Sequence, residues 1–381
     1  MNYFDYESYL AQLEELVNVD GGSYDPEGVD QMSRLMAAKY EKLGLSVTRK
    51  RFDARAGTCL EIRTHPDCEE IDVLMVGHMD TVFPRGTVAE RPFTTDGERA
   101  YGPGVIDMKP GLLSMFYVVQ ELVREGSGLK LCVALNTDEE ISSRYSHPWI
   151  SGLARHARCG LVFEPGRKNG AMVHQRKGVA HFDVDLKGIA AHAGINPWDG
   201  ASAVHEAAEW ITRLVPLNDY DHGTSVNIGV IRGGMGSNTV AEQAHFEVDV
   251  RFTQMEACRR VADKLEEMRR SPFTPGVEAV VTPIGSRPPM LPTDRSRRMM
   301  AAMEAEGEQL GMDVSFVATG GGSDGNFIGY EGCPVLDAVG PVGDGAHSAR
   351  EALVLNTIRP RTELVFRTIL RLEREGFFRD A

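Results

Sequence analysis

The middle of the chain contains six predicted secondary-structure elements, and their order occurs in few folds. After Lys177 the sequence predicts a strand in HFDVDLKG, a helix in DGASAVHEAAEWITRLVPL, and two strands in TSVNIGVIRGG and AHFEVDVRF. A helix in MEACRRVADKLEEMRR and a strand in GVEAVVTPIG complete the order β-α-β-β-α-β. This is the ferredoxin-like order, so residues 178–287 are predicted to form an inserted α+β domain.

The sequence on both sides of this insert alternates helices with apolar strands. Before it, helices are predicted at 5–18, 27–44 and in KPGLLSMFYVVQELVREG, and strands in LSVTRKRF, LEIRT, IDVLMVG, LKLCVALN and CGLVF. After it, SRRMMAAMEAEGEQLG and residues 356–375 predict helices, and VSFVAT and PVLDAVG predict strands. The alternation indicates an α/β sheet with helices on both faces, formed by residues 1–177 and 288–381.

Composition and charge exclude several classes of protein. The 381 residues carry a formal net charge of −14 and no basic patch stands out, so nucleic acid is not an expected partner. No apolar run approaches the roughly 18 to 20 residues that span a bilayer. The acidic start, MNYFDYESYLAQLEELV, lacks the layout of a secretory signal. We therefore expect a cytoplasmic protein with no membrane partner, whose six scattered cysteines stay reduced.

Acidic residues and histidines follow several predicted strands of the α/β domain. The run IDVLMVGHMD ends in His78 and Asp80, and side chains two positions apart on a strand point to the same face. Binding sites in open α/β sheets lie beyond the carboxyl ends of the strands, so such residues are predicted to meet in one crevice. The others of this kind are Asp107 in YGPGVIDMKPG, Glu139 and Glu140 in LNTDEEISS, Glu164 in LVFEPG and, in a late loop, His347 in GPVGDGAHSARE.

The chemistry of these side chains favours a metal site when they are taken together. Each alone has an ordinary explanation, because a strand-end histidine is usually structural and a pair of glutamates usually begins a solvated helix. Carboxylate oxygens with imidazole nitrogens suit zinc, and less specifically manganese or cobalt. Several carboxylates with two histidines are enough for two metal ions, with one carboxylate bridging them.

The motifs that contain these residues resemble the signatures of one enzyme family. GHMDTVFP, YGPGVIDMKPG, NTDEEISS, FEPG, GIAAHAG and GGGSDGN occur here in the order found in the dinuclear-zinc amidohydrolases. That family includes glutamate carboxypeptidases of the carboxypeptidase G type, aminoacylases, carnosine dipeptidase, tripeptidases and acetylornithine deacetylase. The resemblance spans essentially the whole chain and is closest to the glutamate carboxypeptidase branch. It implies a mixed-sheet catalytic domain whose inserted domain dimerises and acts as a lid.

The resemblance also implies roles for individual residues of the catalytic domain. Asp107 would bridge two zinc ions, with His78 and Glu164 completing one site and Glu140 and His347 the other. Glu139 would be the general base, and Asp80 would hold the imidazole of His78 in orientation. The family further implies a cis peptide bond after Asp107. The sequence departs from the family pattern at Pro110 and Ser142, where glycine is common, and neither change removes a ligand.

Four residues of the insert, or at its end, match substrate-binding positions of the family. His192 in AAHAG would reach across a dimer and stabilise the oxyanion. Asn238 and Arg251 would help to recognise the substrate carboxylate, Arg251 from the partner subunit, and Arg287 would be a further carboxylate-binding residue at the hinge. Arginine suits this role because its planar fork donates two parallel hydrogen bonds to a carboxylate.

These observations predict a zinc-dependent hydrolase that cleaves an amide next to a free carboxylate. The expected substrate is a small peptide or N-acyl amino acid, and glutamate is the favoured C-terminal residue that is released. An aminoacylase, a deacetylase or a dipeptidase is the alternative, because these enzymes differ in the pocket and share the metals. A non-catalytic binding relative is a remote alternative, since such a chain should have lost a ligand or Glu139.

Overall fold

The computed structural model describes residues 1–379 of the chain. Its helices are α1 (Tyr6–Val17), α2 (Pro26–Lys42), α3 (Thr87–Glu90), α4 (Lys109–Arg124), α5 (His147–Ala154), α6 (Ala203–Leu214), α7 (Met255–Arg270), α8 (Asp294–Gln309), α9 (Gly325–Tyr330) and α10 (Ile358–Arg374). Its strands are β1 (Ser46–Lys50), β2 (Cys59–Arg63), β3 (Ile71–His78), β4 (Thr94–Thr95), β5 (Arg99–Tyr101), β6 (Leu131–Asn136), β7 (Ala157–Val162), β8 (Met172–Arg176), β9 (Gly178–Lys187), β10 (Ser225–Gly233), β11 (Gln243–Phe252), β12 (Glu278–Arg287), β13 (Phe316–Thr319), β14 (Val335–Leu336), β15 (Gly343–Asp344) and β16 (Ala352–Val354).

The chain divides into two compact units. The first comprises residues 1–175, 290–319 and the described residues from 323 onward, and the second comprises residues 176–289 with 320–322. That residues 178–287 form an independent inserted domain stays a prediction.

The first unit is built on a six-stranded mixed sheet in the order β1-β2-β6-β3-β7-β14. Strands β3, β6, β7 and β14 run parallel to one another, whereas β1 and β2 are antiparallel additions at one edge. This arrangement confirms the predicted mixed α/β sheet. Parallel strands are covered on both faces, which explains why β3 reads as an almost continuous apolar run.

Helices pack on both faces of this sheet, as the alternation of helices and strands predicts. Val73 and Met75 of β3 belong to one apolar core, which also contains residues of α1, α2, α4 and α10. Leu74 and Val76 point to the other face and belong to a core with residues of α5 and α9. The central strand is thus fixed from both sides, and the position at which it ends is fixed with it.

Two small sheets of the first unit are not predicted by the sequence. One contains β15, β16, β5 and β4, and the other pairs β13 with β8. All four strands of the first of these sheets have only two or three residues, which is too short for a period of two to be recognised. The loop that carries His347 connects β15 to β16.

The second unit has the predicted order β9-α6-β10-β11-α7-β12. Its strands form an antiparallel sheet in the order β10-β11-β9-β12. Alternate residues, such as Val184 of β9 and Phe246 of β11, are buried in a core with Trp210 of α6 and Leu265 of α7. The ferredoxin-like architecture is therefore present, and dimerisation through this unit stays a prediction.

The longest helices of the described part of the chain, α2 and α10, have 17 residues each. A helix needs about 20 predominantly apolar residues to span a bilayer. Among residues 1–379, no helix is long and apolar enough to cross a membrane.

Candidate functional site

The carboxyl ends of β3, β6 and β7 meet at one edge of the central sheet. His78, the last residue of β3, is paired in register with Asn136, the last residue of β6. Glu139 and Glu140 follow β6 closely, and Glu164 follows β7. Because neighbouring parallel strands end at the same edge, the side chains just beyond them converge.

Asp107 lies between two histidines. Its Oδ1 is 3.1 Å from Nε2 of His78, and its Oδ2 is 3.2 Å from Nε2 of His347. Glu164 Oε1 lies 3.6 Å from His78 Nε2, and Glu140 Oε2 lies 3.1 Å from His347 Nε2. The structure thus brings all five predicted ligands together and gives Asp107 a position shared by both histidines. The peptide bond between Asp107 and Met108 is cis, as the family resemblance implies.

The electrostatics of this cluster show an excess of buried negative charge. Burial and the charge of Asp107 raise the pKa of Glu140 to about 7, although the hydrogen bond with His347 lowers it. Burial and the same aspartate also raise the pKa of Glu164 well above its usual range. Hydrogen bonds to Asp107 and Glu140 raise the pKa of His347 to about 11. The cluster therefore holds protons near neutral pH that cations of higher charge can replace.

These residues fit divalent metal ions. Oε1 of Glu140 is buried and has no hydrogen-bond partner within residues 1–379, which is costly for a carboxylate oxygen unless a cation lies beside it. Ligand atoms of His78, Asp107 and Glu140 lie within 4.8 Å of one another, and so do those of His78, Glu139 and Glu164. Histidines combined with carboxylates form a donor set that zinc prefers.

Asp80 contacts His78 in a way that the sequence indicates only in part. Nδ1 of His78 lies 2.9 Å from the main-chain oxygen of Asp80 and 3.4 Å from its carboxylate. The nearer acceptor is therefore the main chain, which fixes the imidazole with Nε2 directed at Asp107. The predicted orienting role of the Asp80 carboxylate stays a prediction.

The carboxylate of Asp80 also holds the turn that carries the two glutamates. It accepts the main-chain N–H groups of Glu139 and Glu140, each at 3.2 Å, and the hydroxyl of Ser23 at 2.6 Å. Burial raises the pKa of Asp80, but the hydrogen bond and the charge of His78, the hydroxyl of Ser23 and the N–H of Glu140 together outweigh it, and the net pKa is lowered. The sequence gives no signal for Ser23, because a single serine in GGSYDP has no spacing that identifies a partner.

Glu139 begins the short 3-10 turn Glu139–Ile141 and is buried, with its carboxylate close to His78 and Glu164. The turn is followed by Ser142 and Ser143 with φ angles of +70° and +49°. Glycine adopts such left-handed conformations without steric cost, which explains why it is common at the position of Ser142 in the resembling family.

Two further buried residues hold the segment that leads to Asp107, and no sequence pattern predicts their role. Glu351 accepts the main-chain N–H groups of Gly104, Ile106 and Asp107 at 2.9 to 3.0 Å. Lys109 donates to the carbonyl oxygens of three residues, which are Val17, Val19 and Pro103. Pro110 stands in the first turn of α4, where proline needs no N–H partner.

The four predicted substrate-binding residues form two pairs within the second unit. His192 is paired with Thr239 in an isolated bridge, and Asn238 accepts the N–H of Ala193 at 2.9 Å, so His192 and Asn238 are neighbours. These residues lie beyond the C-terminal end of β9.

The second pair, Arg251 and Arg287, lies at the other end of β9, where both are paired in register with Val179. Arg251 forms a bidentate ion pair with Asp249, at 2.8 and 2.9 Å, and donates to the carbonyl oxygen of Gly320 at 3.1 Å. The second unit therefore does not bring the four residues together.

Comparisons with known proteins point in one direction. The model of peptidase family M20/M25/M40 matches residues 74–371. Carboxypeptidase G2 of Pseudomonas sp. (strain RS-16) is 28% identical over 371 residues, covering 95% of this chain and 89% of that protein. Acetylornithine deacetylase of Myxococcus xanthus is 29% identical over 277 residues, covering 68% of this chain and 71% of that protein.

A solved structure shares the fold of the chain. The crystal structure of aminopeptidase PepT from Bacillus cereus ATCC 10987 superposes with a TM-score of 0.78 at 23% identity. The superposition covers 97% of this chain and 99% of that one. The mixed α/β architecture is thus confirmed, and the family matches confirm the resemblance that the motifs indicate.

Proposed function

Because the chain belongs to peptidase family M20/M25/M40, whose members hydrolyse peptide or amide bonds, we propose that it is a carboxypeptidase-like metallohydrolase. It cleaves an amide next to a free carboxylate and releases a C-terminal amino acid, with glutamate favoured. The observation that carries this proposal is the carboxylate of Asp107, which presents one oxygen to His78 and the other to His347. The similarity to carboxypeptidase G2 along nearly the whole chain supports the carboxypeptidase assignment.

Two zinc ions are the proposed cofactors, with manganese or cobalt as substitutes. His78 and Glu164 would hold one ion, Glu140 and His347 would hold the other, and Asp107 would be a ligand of both. When bound, such metals polarise the scissile carbonyl and lower the pKa of water. The role of the protein is to hold these side chains at the edge of the sheet. Asp80 keeps the imidazole of His78 in one orientation.

Glu139 is the proposed general base. It is buried beside His78 and Glu164, and Asp80 holds its main-chain N–H. In this role its carboxylate takes a proton from the attacking water and passes it to the leaving amine. A base placed in this way contributes roughly 10²- to 10⁴-fold to the rate.

A single substitution tests the role of Glu139 against that of a ligand. Glu139→Gln keeps the shape and removes the base, so turnover should fall by roughly 10² or more while two zinc ions per chain are retained. Metal content measured by mass spectrometry separates the two roles, because loss of one zinc would make Glu139 a ligand. Glu41→Gln, at a half-exposed surface ion pair with Arg49, is the control and should leave both quantities unchanged.

Arg251 and Arg287 are proposed to bind the substrate carboxylate, and His192 and Asn238 to bind the oxyanion and the substrate. Val179, beside the arginines, and Lys187, at the other end of β9, are eight residues apart, about 26 Å in an extended strand. A small substrate cannot span that distance. We therefore propose a homodimer in which both copies of the second unit contribute to one substrate site. His192 and Arg251 of the same copy are then too far apart to act on one substrate, which departs from the resemblance, since it implies that both act from the partner subunit.

Substrate cleavage by the zinc-loaded protein tests the proposed function. The amine released from N-acyl-glutamates, N-acyl-aspartates, acetylated neutral amino acids, dipeptides and tripeptides is measured by mass spectrometry. Selective release of glutamate supports the carboxypeptidase assignment. Cleavage of acetylated amino acids instead would favour a deacetylase, an alternative that the similarity to acetylornithine deacetylase supports. Absence of cleavage with both zinc ions bound would contradict the proposal.

A further inference from the structure

The motif GGGSDGN contains two buried polar residues, Ser323 and Asp324, to which none of the roles above is assigned. Asp324 is the N-cap residue of α9, a position at which an aspartate usually accepts an N–H of its own helix. Within the described residues, its carboxylate makes no capping hydrogen bond with α9. The carboxylate therefore serves another part of the fold.

Ser323 caps the helix in place of Asp324. Its hydroxyl accepts the N–H of Gly325 at 3.0 Å, and the side-chain oxygen of Asn326 accepts the N–H of Ser323 at 2.9 Å. This reciprocal arrangement is similar to a capping box. The same hydroxyl donates to the buried carboxylate of Asp337. The start of α9 is thus held without the side chain of Asp324.

The carboxylate of Asp324 accepts hydrogen bonds from Nδ2 of Asn136, at 2.7 Å, and from the hydroxyl of Ser143. Both donors are buried. Asn136 stands three positions before Glu139, and Ser143 stands three positions after Glu140. One carboxylate therefore joins the two ends of the segment that carries both glutamates.

The two ends of this segment differ in how the backbone holds them. Asn136 is the last residue of β6 and is paired in register with His78, so the sheet fixes it. Ser143 follows the 3-10 turn and has a φ of +49°, which is unfavourable for a residue with a side chain. Such a conformation persists where the surrounding contacts impose it. The bond from Ser143 to Asp324 is a contact of this kind, and it ties this end of the segment to the end that the sheet fixes.

Asp80 and Asp324 hold different parts of the segment. Asp80 accepts the main-chain N–H groups of Glu139 and Glu140, in the middle of the segment. The bonds of Asp324 fix the separation of its two ends. Because a displacement of about 1 Å at a reacting group can lower the rate about 10²-fold, both constraints bear on the proposed general base.

We propose that Asp324 is a positioning residue, which sets the geometry of Glu139 and Glu140 through Asn136 and Ser143. Its effect on turnover rests on the proposed function, because it concerns the same general base and metal ligand. The hydrogen bonds belong to the folded chain itself, so they are measurable without metal or substrate.

Exchange of main-chain amide hydrogens in the zinc-free protein tests the inference, because residues 137–145 contain several hydrogen-bonded amides. Asp324→Ala removes both side-chain bonds, so these amides should exchange about tenfold faster or more. Asp324→Asn keeps an oxygen for Asn136 and offers an N–H to the hydroxyl oxygen of Ser143, so its exchange should lie within about twofold of the parent rate. Unchanged exchange in Asp324→Ala would overturn the inference. Equal acceleration in both variants would overturn it as well, because the charge and not the hydrogen bonds would then act.

Glu121→Ala is the matched control in the same unit. Glu121 is a buried carboxylate that accepts the N–H groups of Asn2 and Tyr3, at 3.0 and 2.6 Å. Its loss should lower the midpoint of urea unfolding about as much as Asp324→Ala does, while exchange in residues 137–145 stays unchanged. If the control accelerates that exchange equally, the effect of Asp324 is a general loss of stability and the positioning role is wrong.

Turnover of the zinc-loaded protein connects this geometry to the proposed reaction, measured with the substrate of the panel that the parent protein cleaves fastest. Asp324→Ala should lower kcat about 10- to 100-fold and change KM less than about threefold, and Asp324→Asn should restore most of kcat. A raised KM with unchanged kcat would place Asp324 in substrate binding and overturn the positioning role. If the parent protein cleaves nothing, the proposed function fails, whereas the exchange measurement still decides whether Asp324 holds the segment.

Ser143→Ala removes one of the two bonds to Asp324 and keeps the buried carboxylate. It should give a smaller acceleration of exchange than Asp324→Ala, and adding it to Asp324→Ala should have little further effect, because both remove the same bond. Full additivity would show that the two residues act independently. If Asp324→Ala does not fold, Ser143→Ala carries the test alone, and unchanged exchange with unchanged kcat in that variant would overturn the inference.

Discussion

The carboxylate of Glu351 accepts the main-chain N–H of Asp107 at 3.0 Å. Its two oxygens also accept the N–H groups of Ile106 and Gly104, at 2.9 and 3.0 Å. Glu351 follows His347 by four residues in the same loop, so one carboxylate ties the loop of one proposed ligand to the segment of another. The distance between the two halves of the site is therefore set by a residue outside the proposed ligand set.

Glu351→Gln should weaken both the fold and the metal site. The new NH₂ group faces N–H donors, and the three charge-assisted hydrogen bonds are lost or weakened. Because hydrogen bonds to charged groups contribute about 1.5 to 3 kcal/mol, we expect the free energy of unfolding to fall by about 2 kcal/mol. Zinc affinity, measured by competition with a chelator, should fall as well. An unchanged midpoint of unfolding together with unchanged zinc affinity would contradict this role, and Glu41→Gln is the surface control.

Asp80→Asn should impair the site without removing a proposed ligand. The substitution replaces one carboxylate oxygen by a donor, so it opposes the N–H groups of Glu139 and Glu140 or the hydroxyl of Ser23. Residues that orient metal ligands typically change affinity or activity by about 10- to 100-fold. We expect kcat to fall within this range while KM changes little.

Ser23→Ala is the matched control for Asp80→Asn, since it removes one donor to Asp80 and leaves the charge. Its effect on kcat should be smaller than that of Asp80→Asn, because it removes one of the hydrogen bonds to the carboxylate and keeps the charge. Equal effects of the two variants would mean that the Asp80 charge has no separate role.

The zinc-free protein should become less stable as pH rises from about 5 to 8. Glu140, with a pKa raised to about 7, binds a proton in the folded state that it loses near pH 4.5 when unfolded, and His347, with a pKa raised to about 11, acts in the same direction. The folded state therefore binds more protons in this range, so the free energy of unfolding falls with pH.

Zinc should reverse this trend, because it replaces those protons and binds the folded state. Urea unfolding at pH 5.5 and pH 8, with chelator or with zinc, measures both effects. The stabilisation by zinc should be larger at pH 8. If the stability of the zinc-free protein is independent of pH or rises with pH, the cluster does not bind additional protons in the folded state.

The sequence predicts those parts of the molecule that depend on repeated patterns. The apolar run of β3 and the six-element order of the second unit both follow from periodicity, and both are present. The convergence of His78, Asp107 and Glu140 follows from strand ends and from the family motifs.

The contacts of Glu351 and Ser23 have no comparable pattern. Both residues act on groups far away in the chain, Glu351 through main-chain N–H groups about 245 positions earlier and Ser23 through a carboxylate 57 positions later. No local spacing encodes such a partner, since any acidic or hydroxyl side chain could supply the acceptor or donor. The contacts of Asp324 are unpredictable for the same reason, because its partners meet it only in the folded chain.

Ser142→Gly should stabilise the protein, because Ser142 has a φ of +70°. A left-handed conformation costs a residue with a side chain about 1 to 2 kcal/mol, and glycine adopts it freely. Glycine also gives the unfolded chain more freedom, which offsets about 0.4 to 1 kcal/mol of the gain. The net increase in the free energy of unfolding should be about 0.5 to 1 kcal/mol, with turnover within about twofold of the parent.

Ser271→Gly is the control: Ser271 has a φ of −138°, so only the destabilising term applies and the midpoint of urea unfolding should fall. If both variants lower the midpoint, the left-handed turn after Glu139 and Glu140 is not under strain, and the departure from glycine at Ser142 has no energetic consequence.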